Sequence, residues 1–170
     1  RAYRVIQYKS AKYSCEHPLV LGGALALTAI AHQDHPILGK YRAFGLPLGE
    51  GFQLRDDALS VFGEPSATGK PAGDDIREGQ RTVLIALPTQ NISAEDRRML
   101  EGALGNPELT NQQISKIREL MIDSGTLEHV EELIAQKSEA VDTALHALPV
   151  SEPIRCALSA IAAKALHRKA

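Results

Sequence analysis

Tryptophan is absent, and aromatic residues make up only 4% of the chain. The stacking platforms on which proteins hold single-stranded nucleic acid are therefore missing. Neither sign of charge dominates: 19 lysines and arginines against 21 aspartates and glutamates leave a formal net charge of -2. A nucleic-acid binder ordinarily carries a basic footprint, so that partner class is set aside. The longest apolar run, Pro18 to Ala31, is interrupted by Gly22-Gly23 and falls short of the roughly 20 residues needed to span a bilayer. No signal-peptide pattern is visible, as would also hold for a chain that had lost one. Cysteine occurs only at Cys15 and Cys156, far apart and in no metal or redox spacing. The expectation is two buried free thiols in a reducing, cytoplasmic compartment. What remains is 170 residues, 44% hydrophobic and 24% charged, enough for a packed globular domain.

Periodicity predicts helices almost throughout and no strand, internal repeat or low-complexity linker. Arg1 to Cys15 reads as an amphipathic helix, broken at Glu16-His17-Pro18 before an apolar helix from Leu19 to His32. Asp34-His35-Pro36 starts another. Leu46 to Phe62 follows as a separate helix, with Pro47, Gly45, Gly49 and Gly51 marking a kink or close packing. Arg77 to Ala86 is expected as one helix leading to Leu87-Pro88. Ser93-Ala94-Glu95-Asp96 is a capping-box-like start for a helix ending near Leu104, before Gly105-Asn106-Pro107. Thr110 opens the next, with Ile114, Ile117 and Met121 at helical spacing. After Ser124-Gly125-Thr126, a long amphipathic helix carries Leu127, Val130, Ile134, Val141, Leu145 and Leu148. Ser151-Glu152-Pro153 begins a terminal alanine-rich helix. The predicted class is all-α in one unit.

Chemistry concentrates in Gly49-Glu50-Gly51-Phe52-Gln53-Leu54-Arg55-Asp56-Asp57-Ala58-Leu59-Ser60-Val61-Phe62-Gly63. Phe52, Leu59 and Phe62 form one apolar side, Leu54, Ala58 and Val61 another. Gln53, Asp56, Asp57 and Ser60 stand at i, i+3, i+4 and i+7 and form a polar stripe. A helix so apolar is expected inside, where unpaired carboxylates are costly. An oxygen-ligated divalent cation would answer that cost, with Asp56 and Asp57 as ligands. A glycine-rich loop, Thr68-Gly69-Lys70-Pro71-Ala72-Gly73-Asp74-Asp75, then offers Lys70 on backbone able to approach a ligand. Carboxylates, a lysine and glycines together suit a metal–phosphate complex. The Walker phosphate-loop spacing is absent.

Phe52-Gln53-Leu54-Arg55-Asp56-Asp57 and Gly69-Lys70-Pro71-Ala72-Gly73-Asp74-Asp75 resemble the second aspartate-rich region and following lysine loop of trans-isoprenyl diphosphate synthases, the polyprenyl synthetases. Tyr8-Lys9-Ser10-Ala11-Lys12-Tyr13-Ser14 with Pro18-Leu19 is similar to that family's Lys-Thr helix. The three motifs come in the family's order, and the pattern is nearest to bacterial geranylgeranyl-type synthases. The family's first aspartate-rich motif has no counterpart here, and the chain begins at Arg1. The expectation is that residues 1–170 are the C-terminal portion of one isoprenoid-synthase domain, inactive alone.

The resemblance implies head-to-tail elongation: an allylic diphosphate ionises with loss of pyrophosphate, the C=C bond of isopentenyl diphosphate attacks the allylic cation, and a proton is lost to give the longer product. It implies Mg2+ on Asp56 and Asp57, diphosphate contacts from Lys9 and Lys70, and neutral oxygens of Ser10 and Gln53 facing the cation. Phe52 and its apolar neighbours would exclude water. A homodimer is a further implication, and geranylgeranyl diphosphate is the expected product, with farnesyl or longer prenyl products as the alternatives. Two departures weaken the pattern. Ser60 occupies the place of a frequent third aspartate, and Gln80 that of a frequent lysine before Arg81-Thr82.

Blander explanations stand beside these. Adjacent acids are common on solvated helix faces, and Lys9 by itself reads as a surface lysine. His32 and His35 flank Asp34 without a third ligand and are expected on the surface. Asp74 and Asp75 are expected to cap the helix beginning near Ile76. A non-catalytic subunit of a heteromeric synthase would ordinarily lose its acidic motifs, which are kept here. A terpene cyclase on the same fold is disfavoured by Lys9-Ser10 and Gly69-Lys70-Pro71. A helical interaction module would bind no bisphosphonate in the presence of Mg2+.

Overall fold

The computed structural model describes residues 1–27, 35–63, 73–88 and 92–168, and every regular element among them is helical. The all-α expectation holds. In chain order the elements are α1 (Ala2–Val5), a π-helical segment (Ile6–Glu16), α2 (His17–Leu27), α3 (Pro36–Phe62), α4 (Asp74–Arg77), α5 (Val83–Ala86), α6 (Ala94–Ala103), α7 (Asn111–Asp123), α8 (Thr126–Ala147) and α9 (Glu152–Leu166).

The residues group into two compact units, one built on Tyr3–Arg55 and Leu133–Arg168, the other on Asp56–Glu132. In the first, Phe44 and Leu48 of α3 pack with Val141 and Leu145 of α8, Leu148, and Ala162 and Leu166 of α9. The Arg155 guanidinium ties the turn between α8 and α9 by donating to the carbonyls of Leu145, Leu148 and Val150. Leu145 stands in the last turn of α8, where carbonyls have no intrahelical partner four residues on. In the second unit Ile76, Leu84, Leu100, Ile117 and Met121 are fully enclosed. Arg118 of α7 donates to the carbonyls of Val61 and Gly63 at the C-terminal end of α3, where the helix dipole favours a cation.

Three helix starts and one stop follow their sequence signals. Ser93 accepts the Asp96 N–H at 3.1 Å. Thr110 and Gln113 form a reciprocal capping box that opens α7, and Ile114, Ile117 and Met121 are its buried face. Gly125, at φ 71°, separates α7 from α8, a backbone conformation glycine adopts without steric cost. Ser151 precedes α9, with proline in its first turn.

The structure corrects several expectations. Glu16-His17-Pro18 does not break the chain, because helix runs on from the π-helical segment into α2. The His17 N–H reaches the Lys12 carbonyl, five residues back. As bonding returns to the four-residue step the carbonyl ladder shifts, so proline's missing N–H costs least there. The described part of α2 ends at Leu27, and 28–34 lie outside the described residues. Leu46 is not a helix start either: α3 begins at Pro36 and passes through Pro47 without interruption. Burial of Phe44 and Leu48 on either side of Pro47 outweighs the local cost of one lost hydrogen bond.

The expected helix from Arg77 to Ala86 is two short ones, because Gly79 takes φ 73° between them. Asp74 and Asp75 are the first residues of α4 rather than its N-cap, which is Gly73, at φ 75°. Cys156 is exposed rather than buried, since α9 buries only Ala162 and Leu166 and leaves its other faces in water. Cys15 is half-buried, and burial raises its thiol above the ordinary value.

The π-helical segment has a burial pattern of its own. Its buried residues are Ile6, Ala11 and Glu16, a step of five. On an α-helix a five-residue step turns roughly 140° off the starting face. On a helix bonded i to i+5 it returns near the same face.

Candidate active site

Along α3 the proposed polar stripe divides by exposure. Asp56 is exposed, Asp57 is buried at 4%, and Gln53 and Ser60 are half-buried. Leu54, Ala58 and Val61 are enclosed as expected, whereas Phe52, Leu59 and Phe62 are only half-buried. The argument that both carboxylates sit in an apolar interior is therefore corrected for Asp56: neighbours on a helix point about 100° apart, so one can face solvent while the next does not. The cost of burial falls on Asp57 alone.

Upstream, the structure brings two predicted residues into contact. Ser10 Oγ donates to Gln53 Oε1 at 2.6 Å. That bond uses one lone pair of the amide oxygen and leaves the other, with the serine's own lone pairs, able to accept. Lys9 is exposed and forms no ion pair among the described residues. Phe52 carries the Arg168 guanidinium over its ring at 4.7 Å. Beside it, Arg55 Nε donates to the Leu166 carbonyl at 2.9 Å. Lys70 lies outside the described residues, as does His32; His35 is exposed.

Small residues make the contact between the N-terminal helices and α3 a close one. A Cβ on Gly49 would stand 2.5 Å from Ala11 Cα, and one on Gly45 would stand 2.9 Å from Glu16 Cα. Backbone meets backbone there.

Glu50 is the residue that sequence reasoning passed over. It is 4% exposed, accepts from the Tyr3 hydroxyl at 2.9 Å and from Gln7 Nε2 at 3.4 Å, and pairs with Lys137 Nζ at 2.8 Å. Burial draws the Lys137 ammonium down, but its hydrogen bonds to Glu50 and Tyr3 and the Glu50 charge outweigh that and leave it above its ordinary value. Tyr3 also sits high, first through burial, which the hydrogen bond with Lys137 opposes and the contact with Glu50 reinforces. A lone acid between two glycines in the apolar stretch Leu46 to Phe52 was the available signal.

No group of three or more histidine, cysteine, aspartate or glutamate side chains gathers as a metal site among the described residues. The donor set still suits magnesium, which is bound through one or two carboxylates together with waters and substrate phosphates. Ser60 Oγ is enclosed with no hydrogen-bond partner among the described residues. A buried hydroxyl left so calls for a partner such as a metal-bound water. Asp56, Asp57 and Ser60 thus fit the ion by chemistry.

The polyprenyl synthetase family model matches residues 2–121. This chain belongs to the polyprenyl synthetase family. A geranylgeranyl diphosphate synthase of Saccharolobus solfataricus is 30% identical over 82% of this chain, and a farnesyl pyrophosphate synthase of Gallus gallus is 32% identical over 68% of it. The crystal structure of geranylgeranyl pyrophosphate synthase from Corynebacterium glutamicum, complexed with isoprenyl diphosphate and magnesium, superposes with a TM-score of 0.88 at 37% identity over 99% of this chain. The all-α fold is thus that of the isoprenoid synthases. The chain spans 40% of the Saccharolobus relative, 30% of the Gallus one and 46% of the Corynebacterium structure.

Proposed function

We propose that this chain acts as the C-terminal portion of a trans-prenyl diphosphate synthase that condenses an allylic diphosphate with isopentenyl diphosphate and releases pyrophosphate. The observation that carries this reading is the 2.6 Å Ser10–Gln53 bond. It joins the Lys9-Ser10 motif to the helix whose next turn bears Asp56 and Asp57. Asp56 and Asp57 would hold Mg2+, with Ser60 Oγ facing a water of that ion. When bound, the ion supplies charge neutralisation for the departing pyrophosphate. Lys9 and Lys70 add ammonium groups to the same end. Charge stabilisation of this kind is strongest where water is excluded. Phe52 and the neighbouring apolar side chains keep water from the allylic cation, and Ser10 and Gln53 present neutral oxygens to it without capturing it. No protein base is assigned; the proton lost at the end passes to pyrophosphate.

The product is proposed to be geranylgeranyl diphosphate, by likeness to the Saccharolobus and Corynebacterium geranylgeranyl synthases named above, and the working form a cytoplasmic homodimer. The test uses the intact protein with farnesyl and isopentenyl diphosphates, Mg2+ and product chromatography. A geranylgeranyl product is expected, and Asp56→Ala should lower turnover on the order of 10²-fold or more with helicity unchanged by circular dichroism. Full activity in Asp56→Ala removes the metal role, and absence of any prenyl transfer in the wild type removes the reading itself.

A further inference from the structure

Burying a carboxylate is unfavourable unless it is paired and hydrogen-bonded. Glu50 meets that demand with side chains from two other parts of its unit. Tyr3 and Gln7 approach from the N-terminal helices, and Lys137 from α8. Lys137 also stands over the Tyr3 ring, 5.4 Å from its centroid. None of these groups has a part in the chemistry set out above.

Their placement along the helices gives them a different one. Three residues on from Gln7 is Ser10, and three residues on from Glu50 is Gln53, so the 2.6 Å contact of the proposed site lies one step from the Glu50 cluster on both elements. Between the two elements lie Gly49 against Ala11 and Gly45 against Glu16. A backbone-to-backbone contact of small residues fixes distance but offers few knobs to stop sliding or rotation. Directional polar contacts can supply that register, as buried polar groups do in coiled coils. At the far end of the contact Glu16 has, among the described residues, only the longer approaches of Arg42 at 3.8 Å and Lys12 at 4.0 Å. The Glu50 cluster is the tighter anchor.

We propose that Glu50, Tyr3 and Lys137 form a positioning cluster for the prenyl-transfer reaction: they set the register of the π-helical segment carrying Lys9 and Ser10 against α3, and through it the Ser10–Gln53 contact. The inference rests on the assignment of Lys9, Ser10 and Gln53 to the reacting site.

The experiment is a double-mutant cycle in the intact protein, combining Lys137→Met with Ser10→Ala, with kcat and KM measured per folded enzyme. Lys137→Met is expected to lower kcat about 10- to 100-fold, a loss typical of misplacement near 1 Å, and Lys137→Arg to restore most of it. Adding Ser10→Ala to Lys137→Met should cost little more, because the contact it removes is already lost. Additive losses, or a lower melting temperature with kcat untouched, overturn the proposal. Where Lys137→Met does not fold, Tyr3→Phe, which removes one hydroxyl and keeps the ring, takes its place in the same cycle with the same criteria. Amide hydrogen exchange over Gln7–Ala11 reads the register without turnover. It should quicken in the variant that folds, and unchanged exchange overturns the proposal. If the wild type transfers no prenyl group, the functional reading falls and the cluster is judged on that exchange alone.

Discussion

Replacing Gly49 with alanine adds one methyl group where α3 meets the π-helical segment. The new Cβ would lie 2.5 Å from Ala11 Cα and 3.0 Å from both its Cβ and its carbonyl oxygen, while unstrained carbon–carbon contacts begin near ~3.5 Å. The obstructing atoms are backbone and the Cβ fixed to it, which no rotamer change can move, so the two elements must part by about 1 Å. Overpacking of this kind costs roughly 1–3 kcal/mol. The Ser10–Gln53 bond, 2.6 Å long, would stretch beyond hydrogen-bonding range for about 1 kcal/mol more. Against this stands a gain of about 0.5–1 kcal/mol from replacing glycine by alanine inside a helix. The net expectation is a loss of about 2 kcal/mol in urea unfolding. Gly39→Ala is the control: it lies in the same helix, is exposed, and nothing stands within 4 Å of its added Cβ. It should stabilise by about 0.5–1 kcal/mol. If Gly49→Ala unfolds at the same urea concentration as Gly39→Ala, the close-approach argument is wrong.

Two further expectations concern the fold itself. Tyr3 and Lys137 hold their protons more tightly folded than unfolded, so the stability they contribute is complete below their ordinary values of 10.0 and 10.5 and is lost as pH rises through the higher folded ones. Melting temperature should therefore fall above about pH 10, and less steeply in Lys137→Met; identical alkaline profiles for the two proteins would contradict this. Thr110→Ala removes the hydroxyl that accepts the Gln113 N–H at 3.3 Å and should cost about 1 kcal/mol in chemical denaturation, whereas a change within error would mean the capping box adds nothing.

The second half of the chain was legible at the level of single residues. Helix starts at Ser93, Thr110 and Ser151 and the stop at Gly125 are local signals, written at Ser93 and Thr110 in side chains that bond their own backbone, after Ser151 in a proline of the first turn, and at Gly125 in a glycine that tolerates positive φ. Their buried faces follow a period of 3.6, so periodicity alone found Ile114, Ile117 and Met121. Asp56-Asp57, Lys9-Ser10 and Phe52-Gln53 were equally visible as motifs, because the chemistry proposed for them needs particular residue types at particular spacings.

The first half resisted for physical reasons. A reading built on 3.6 residues per turn cannot find a face made of Ile6, Ala11 and Glu16. Pro18 and Pro47 signal interruption locally, yet neither interrupts: Pro18 falls where π-helical bonding gives way to α-helical, and at Pro47 packing offsets one missing hydrogen bond. Exposure of neighbouring acids is likewise undetermined by sequence: nothing in Asp56-Asp57 says which of the pair is enclosed. That depends on which side of α3 meets other helices.

By itself, then, the amino-acid sequence determined the all-α class, the capped helices of the C-terminal half, and a motif set sufficient to suggest a family. Tertiary structure alone decided the wide winding of the N-terminal segment, the buried state of Asp57 and the union of Glu50 with Tyr3 and Lys137. Residues 3, 50 and 137 are far apart along the chain. Only packing brings their side chains within hydrogen-bonding distance, and a buried carboxylate is tolerable only where it does.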